Sequence, residues 1–163
     1  RAGTLDLVGG TLYWDQAYRD ELQALIVNRG IEGVCRLLPH TPTPIETLGS
    51  YDVFCIASTK EPFGRVVAEA QGCGLPVIGF DDGGIGEIVE QECTGMLVRA
   101  GDTEGFVHAM ARFIDEPSLV ASMGAAARAR AAALFDRMVQ RRTIVDVLRA
   151  RASGAGQKQA ARP

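Results

Sequence analysis

The chain has 163 residues, 17 Lys and Arg against 20 Asp and Glu, a formal net charge of −3 and 47% hydrophobic residues. That length fits one domain with a core large enough to hold without metal or disulfide staples. The acidic balance gives no support to non-specific nucleic-acid binding, and no apolar run reaches the ~18 residues that a membrane span requires.

Apolar runs of strand length alternate with helical patterns along the chain. Thr4 to Val8 reads as a short strand that ends in Gly9-Gly10. Tyr13 to Asn28 carries apolar residues at Tyr18, Leu22, Leu25 and Ile26, a helical spacing, with Gly30 as its C-terminal cap. Val34 to Leu38 is a second strand, stopped by Pro39, and the loop His40 to Pro44 leads into a short helix ending near Ser50. Val53 to Ala57 is a third strand and Gly64 to Gly72 the next helix. Pro76 to Phe80 is a fourth strand, followed by an Asp81-Asp82-Gly83-Gly84 turn. Gly86 to Glu92 allows one or two helical turns, and Met96 to Arg99 is a fifth strand.

From Asp102 the pattern is wholly helical. Asp102 is placed as an N-cap, and Phe106, Ala109, Met110, Phe113 and Ile114 form one apolar stripe. Pro117 opens an Ala-rich helix to about Leu134, and Asp136 caps a last helix to about Arg151. Ala152 to Pro163 lacks periodicity and reads as a frayed, flexible tail, leaving 1–151 as the folded unit. The first ten residues lack a signal-peptide layout and enter a strand almost at once, as though a preceding segment had been cut away.

Strands alternating with helices of this length imply βαβ units, a parallel sheet and an α/β, Rossmann-like architecture with flanking helices. Ligands of such sheets bind at the carboxyl ends of the strands. The Gly9-Gly10 turn, the Pro39–Pro44 loop, the Glu61 loop and the Asp81–Gly86 loop all belong to that edge and are expected to meet at one crevice.

The four cysteines, Cys35, Cys55, Cys73 and Cys93, form no CxxC pair. Cys35 and Cys55 lie within apolar runs, where cysteine behaves as a small hydrophobe, so reduced structural cysteines and a cytoplasmic setting are expected. His40 and His108 are far apart in sequence and offer no zinc-ligand spacing.

The most informative stretch is Glu61 to Glu69, EPFGRVVAE. Pro62, Phe63 and Gly64 form a tight turn between a buried strand and a helix. One carboxylate stands before the helix and one inside it, with seven residues between. A helix N-terminus offers free N–H groups and a positive dipole end, which suit a phosphate. Carboxylates only accept hydrogen bonds and suit sugar hydroxyls, which donate them. The combination describes a site for a polyhydroxylated, phosphate-bearing ligand.

Five pieces in order carry a resemblance: Glu61 with Glu69, Phe63-Gly64, Gly74-Leu75-Pro76-Val77, Gly83-Gly84 before Glu87-Ile88-Val89, and Gly95-Met96-Leu97-Val98 before Gly101-Asp102. Together they resemble the C-terminal, donor-binding lobe of retaining glycosyltransferases of the GT-B fold, the large "group 1" family (glycosyltransferase family four), from about Leu5 to about Leu148. The resemblance implies a nucleoside diphosphate sugar as donor substrate, with no metal and no other cofactor. It gives Glu61 the hydroxyls of the donor sugar, as the residue nearest the chemistry. The turn at Phe63 and Gly64 would help hold the sugar, and the first helical turn at Arg65 and Val66 would meet the diphosphate. Glu69 would bind the ribose hydroxyls. It lies five residues into the helix, about 7.5 Å along the axis, the separation that the sugar and ribose ends require. The loop carrying Leu38, Pro39 and His40 would lie against the base, and Gly9 and Gly10 complete the donor-binding set.

The resemblance also implies what is missing. The family's donor lobe opens with a strand and helix carrying an Arg and a Lys for the diphosphate, and this sequence starts at what corresponds to the second strand. The acceptor-binding N-terminal lobe is missing too. The chain is therefore expected to be a fragment of a larger transferase that alone binds donor weakly and transfers sugar little or not at all, with the nucleotide sugar and that lobe as its partners. Any membrane association would arise only through the missing regions.

Blander readings stand beside these. Lys60 and Arg65 could supply charge to a diphosphate, or simply be solvated. Glu87 could cap its short helix or touch the donor. His40 could be a plain loop histidine, and Asp81-Asp82 suits a turn better than a metal pair. Rival functions are another GT-B enzyme, such as a nucleotide-sugar epimerase, and a non-catalytic nucleotide-binding module such as a receiver domain. The Phe-Gly turn between the two glutamates argues against the first. The lack of an acidic cluster after the first strand argues against the second.

Overall fold

The structure, a computed structural model, describes residues 3–9 and 16–159, the last eight of these by their backbone alone. Among the described residues five strands alternate with helices up to β5 and three further helices follow, as the sequence predicts. They are β1 (Leu5–Val8), α1 (Gln16–Asn28), β2 (Cys35–Leu38), α2 (Pro44–Leu48), β3 (Phe54–Ile56), α3 (Arg65–Gly72), β4 (Val77–Asp81), α4 (Ile85–Ile88), β5 (Gly95–Arg99), α5 (Thr103–Asp115), α6 (Pro117–Phe135) and α7 (Arg137–Gln159).

All strand pairs are parallel. The strands do not form one hydrogen-bonded sheet, however. β1 pairs with β2, and β3, β4 and β5 form a separate triplet. In the doubly wound order 3-2-1-4-5-6, the first strand lies between the second and the fourth. If the five strands here correspond to the second through sixth, the break falls where that order places strand one.

The triplet is covered on both faces, which is why Val77 to Phe80 is buried throughout. Alternation along β4 sends Val77 to one face, with Ile56, Val67, Ala70, Ile85 and Ile88 beneath α3 and α4. Ile78 faces the other way, with Met96, Ala109, Phe113 and Met123 under α5 and the start of α6. Gly79 keeps β4 close to its cover, since a Cβ there would come within 3.1 Å of both Ile56 and Ile85. Ile114, expected on the apolar stripe of α5, is partly exposed at 38%. Burial pushes the Cys55 thiol up to about 11, which fits a structural cysteine, and all four cysteines are free.

The two ladders are tied by one polar cluster. Asp6 of β1 accepts two hydrogen bonds from its cross-strand neighbour Arg36, at 2.7 and 2.8 Å, and a third from the Tyr51 hydroxyl at 2.9 Å. The Arg36 hydrogen bonds hold the Asp6 carboxyl below its usual range, with Tyr51 adding to the effect. Tyr51 itself is raised, first by burial and then by its bond to Asp6.

Helix ends follow the sequence signals where a side chain supplies the cap. Asp102 accepts from the Gly105 N–H at 2.9 Å. Asp136 accepts from the Met138 and Val139 N–H groups at 2.8 and 3.1 Å and so starts α7. α7 runs on to Gln159, eight residues past its expected end at Arg151 and through most of the stretch read as a tail. Ala152, Ala155, Gln157, Lys158 and Gln159 are good helix formers, and they outweigh Gly154 and Gly156. Among the described residues no helix is long and apolar enough to cross a membrane.

Candidate functional site at the start of helix α3

The site is built from two loops at the carboxyl ends of adjacent strands. One leaves β3 and passes through Lys60, Glu61, Pro62, Phe63 and Gly64 into α3. The other leaves β4 and passes through Asp82, Gly83 and Gly84 into α4. Because β3 and β4 are paired, these loops lie side by side and bind one another. The Gly84 N–H donates to the Glu61 carbonyl at 2.8 Å. The Lys60 N–H donates to Asp82 Oδ2 at 2.8 Å. Asp82 is thus a turn residue, and no cluster suited to a metal ion occurs among the described residues.

The two glycines exist for this contact. Gly83 has φ 64°, and a Cβ there would run into the Glu61 carbonyl. At Gly84 it would lie 2.7 Å from Phe63 Cα. Only hydrogens fit where the glutamate loop rests on the Gly-Gly turn. Gly64 then caps α3 from the left-handed region, at φ 81°.

Glu61 is held at both ends. Its backbone carbonyl takes the Gly84 N–H, and Oε1 accepts from the Gly64 N–H at 3.2 Å. This occupies the Gly64 amide, one of the groups expected to face a sugar. The N–H groups of Phe63, Arg65 and Val66 take no acceptor among the described residues and remain available. The buried face of α3, Val67, Ala70 and Gln71, fixes how the helix sits. Gln71 donates to Thr94 Oγ1 at 3.0 Å. Glu69 emerges at the edge of that face, with a side chain 32% exposed and a loose 3.5 Å pairing to the exposed Arg65.

Glu69, Phe63 and Arg65 line a concavity of about 390 Å³ together with Ala68, Phe135 and Gln140. Phe135 and Gln140 carry no signal in the sequence. The first ends an Ala-rich helix that reads as packing, and only folding brings either residue beside α3.

The second group of expected residues lies on the β1–β2 ladder. The Gly9 N–H donates to the Leu38 carbonyl at 3.1 Å, so the ends of these strands adjoin. Pro39 and His40 follow in an exposed loop, and His40 makes no hydrogen bond among the described residues. Gly10 lies outside the described residues. Two of the four loops interlock around Glu61, and the concavity at Glu69 takes its walls from α3, α6 and α7 rather than from the Leu38–His40 loop. Glu87 is exposed in the first turn of α4 and makes no capping bond.

The chain is similar to several known proteins. The structure of Anabaena HepE in complex with UDP superposes with a TM-score of 0.84 at 30% identity, over 91% of this chain and 41% of that one. Sucrose-phosphate synthase from Thermosynechococcus elongatus gives a TM-score of 0.80 at 26% identity, over 93% and 39% respectively. In sequence, the D-inositol 3-phosphate glycosyltransferase of Streptomyces griseus is 37% identical over 129 residues, 77% of this chain and 27% of the relative. The N-acetyl-alpha-D-glucosaminyl L-malate synthase of Bacillus anthracis is 36% identical over 104 residues, 64% of this chain and 27% of the relative. The chain thus spans about a quarter of the length of the curated relatives it matches. The profile described as "Glycosyl transferases group 1" matches residues 4–130, which takes in both site loops, α3 and most of α6. With both ladders, the glutamate turn and its Gly-Gly support inside that match, the chain belongs to the group 1 glycosyl transferases.

Proposed function

We propose that this chain is the donor-binding lobe of a retaining glycosyltransferase that moves a sugar from a nucleoside diphosphate sugar to an acceptor. The observation that carries the reading is the locked turn at Glu61. It sets a carboxylate and three unpaired N–H groups at one helix start, with a second carboxylate at Glu69 further along the same helix. The similar HepE was solved with UDP and with UDP-glucose, which supports a nucleotide sugar as the ligand class.

In this reading Glu61 receives sugar hydroxyls on the carboxylate oxygen that the Gly64 amide leaves free. The hard step is departure of the nucleoside diphosphate while positive charge grows on the sugar. The Phe63, Arg65 and Val66 amides and the helix dipole stabilise the negative charge of the leaving group, with no metal needed for that role. Glu69 takes the ribose hydroxyls after Arg65 releases it, and Leu38, Pro39 and His40 border the base. Acceptor contacts belong to a separate lobe, and its closure over the donor excludes water. The four free cysteines, of which Cys35 is buried, Cys55 and Cys73 half-buried and Cys93 exposed, suit a cytoplasmic setting.

Calorimetric titration with UDP-, ADP- and GDP-glucose tests the reading. One series is expected to bind, and Glu69→Ala should weaken it by about tenfold or more, the scale of hydrogen bonds to a charged group. Failure of all three to bind sinks the donor reading. Binding that is indifferent to Glu69→Ala removes the ribose role alone.

A further inference from the structure

α6 runs alongside α3 in the opposite direction and touches it from end to end. At one end Gly124 packs on the Gly74 carbonyl with no room for a Cβ. One turn on, Arg128 donates to the Cys73 carbonyl at 2.7 Å, at the carboxyl end of α3. Arg130 then donates to the Ile88 and Glu87 carbonyls at 2.8 and 3.2 Å, at the carboxyl end of α4. A single helix therefore grips the ends of both helices that follow the site loops. Its last residue, Phe135, reaches the other end of α3 and meets Phe63 edge to face, with ring centroids 6.1 Å apart and planes at 90°. Phe63 is 49% exposed, so burial alone does not fix its ring. Phe135 is packed against the core beneath α3 and offers a fixed wall.

We infer that Phe135 is a positioning residue for the donor turn. Its edge contact holds Phe63, and through the Phe63 backbone it holds the Glu61 carboxylate in the arrangement that receives the sugar. The inference rests on the donor reading above. It assigns to α6 a role that an Ala-rich packing helix would not have, and it predicts a selective effect. Removing the ring loosens the sugar end of the site more than the Glu69 end, where Phe135 shares the wall of the concavity with Ala68 and Gln140.

The test measures the affinities of the 163-residue chain for UDP-glucose and for UDP, with Phe135→Ala, Phe135→Leu and Phe135→Tyr beside the unmodified chain. Phe135→Leu keeps most of the volume and guards against simple misfolding, with folding of each variant followed by circular dichroism. Both ring-deleting variants should weaken UDP-glucose by about two- to tenfold, the scale of one aromatic pair, with UDP changed less. Phe135→Tyr should restore the original ratio. Equal weakening of the two ligands, or no change in either, overturns the positioning role while leaving the donor reading intact. Failure of the unmodified chain to bind any of UDP-, ADP- and GDP-glucose overturns both, and where a series other than UDP binds, that nucleotide sugar and its diphosphate replace the UDP pair.

Discussion

Gly83 sets the tightest tolerance in the site. Its positive φ and the Glu61 carbonyl above it both require a residue without a side chain. Gly83→Ala should cost at least about 2 kcal/mol, because it combines left-handed strain with a backbone collision. The midpoint of urea unfolding would show the loss. Gly64 is more forgiving, since a Cβ there would meet the Val67 side chain at 3.3 Å and the Glu61 side chain at 3.5 Å but no backbone. Gly64→Ala should cost only the left-handed strain, about 1–2 kcal/mol. These residues were legible in the sequence because their roles are local. A Gly-Gly turn, a Phe-Gly turn and two carboxylates around a helix start act within a few residues of one another. What the sequence could not show is that the Glu61 carboxylate turns back onto the Gly64 amide, since nothing in residue order ranks that acceptor against a ligand.

At the scale of elements, helix starts were read well because Asp102 and Asp136 cap by a side chain, which is a feature of composition. The end of α7 was misplaced because Gly154 and Gly156 obscure a run of good helix formers around them. Strand pairing was legible in direction only. The partner of each strand is set by distant chain, so the split into a pair and a triplet had no local sign. The same holds for Phe135 and Phe63, which lie 72 residues apart in sequence and adjoin only through the alignment of α6 with α3. The joint between α6 and α7 rests on Asp136, whose extended backbone breaks the helix before its carboxylate restarts it. Asp136→Ala should destabilise the first turn of α7 by about 1 kcal/mol. Faster amide exchange at Met138 and Val139, without a matching change in α3, would be the sign.

For the whole molecule, the connection between the two ladders depends on Asp6. Arg36 and Tyr51 hydrogen bonds lower its folded pKa below the value it would have in the unfolded chain. The unfolded state therefore binds the proton more readily, so the stability due to Asp6 is full above the ordinary carboxylate value and is lost as pH falls through the lowered one. Unfolding midpoints taken from about pH 6 down to about pH 2 should decline, and Asp6→Asn should flatten that decline while lowering stability at neutral pH. Among the described residues no ladder joins β1 to β3. Each of those strands thus has one flank without a strand partner among the described residues, a template for any extended peptide that approaches in register. At high concentration such open flanks favour association between copies, and a short strand-forming peptide added in excess would compete with it.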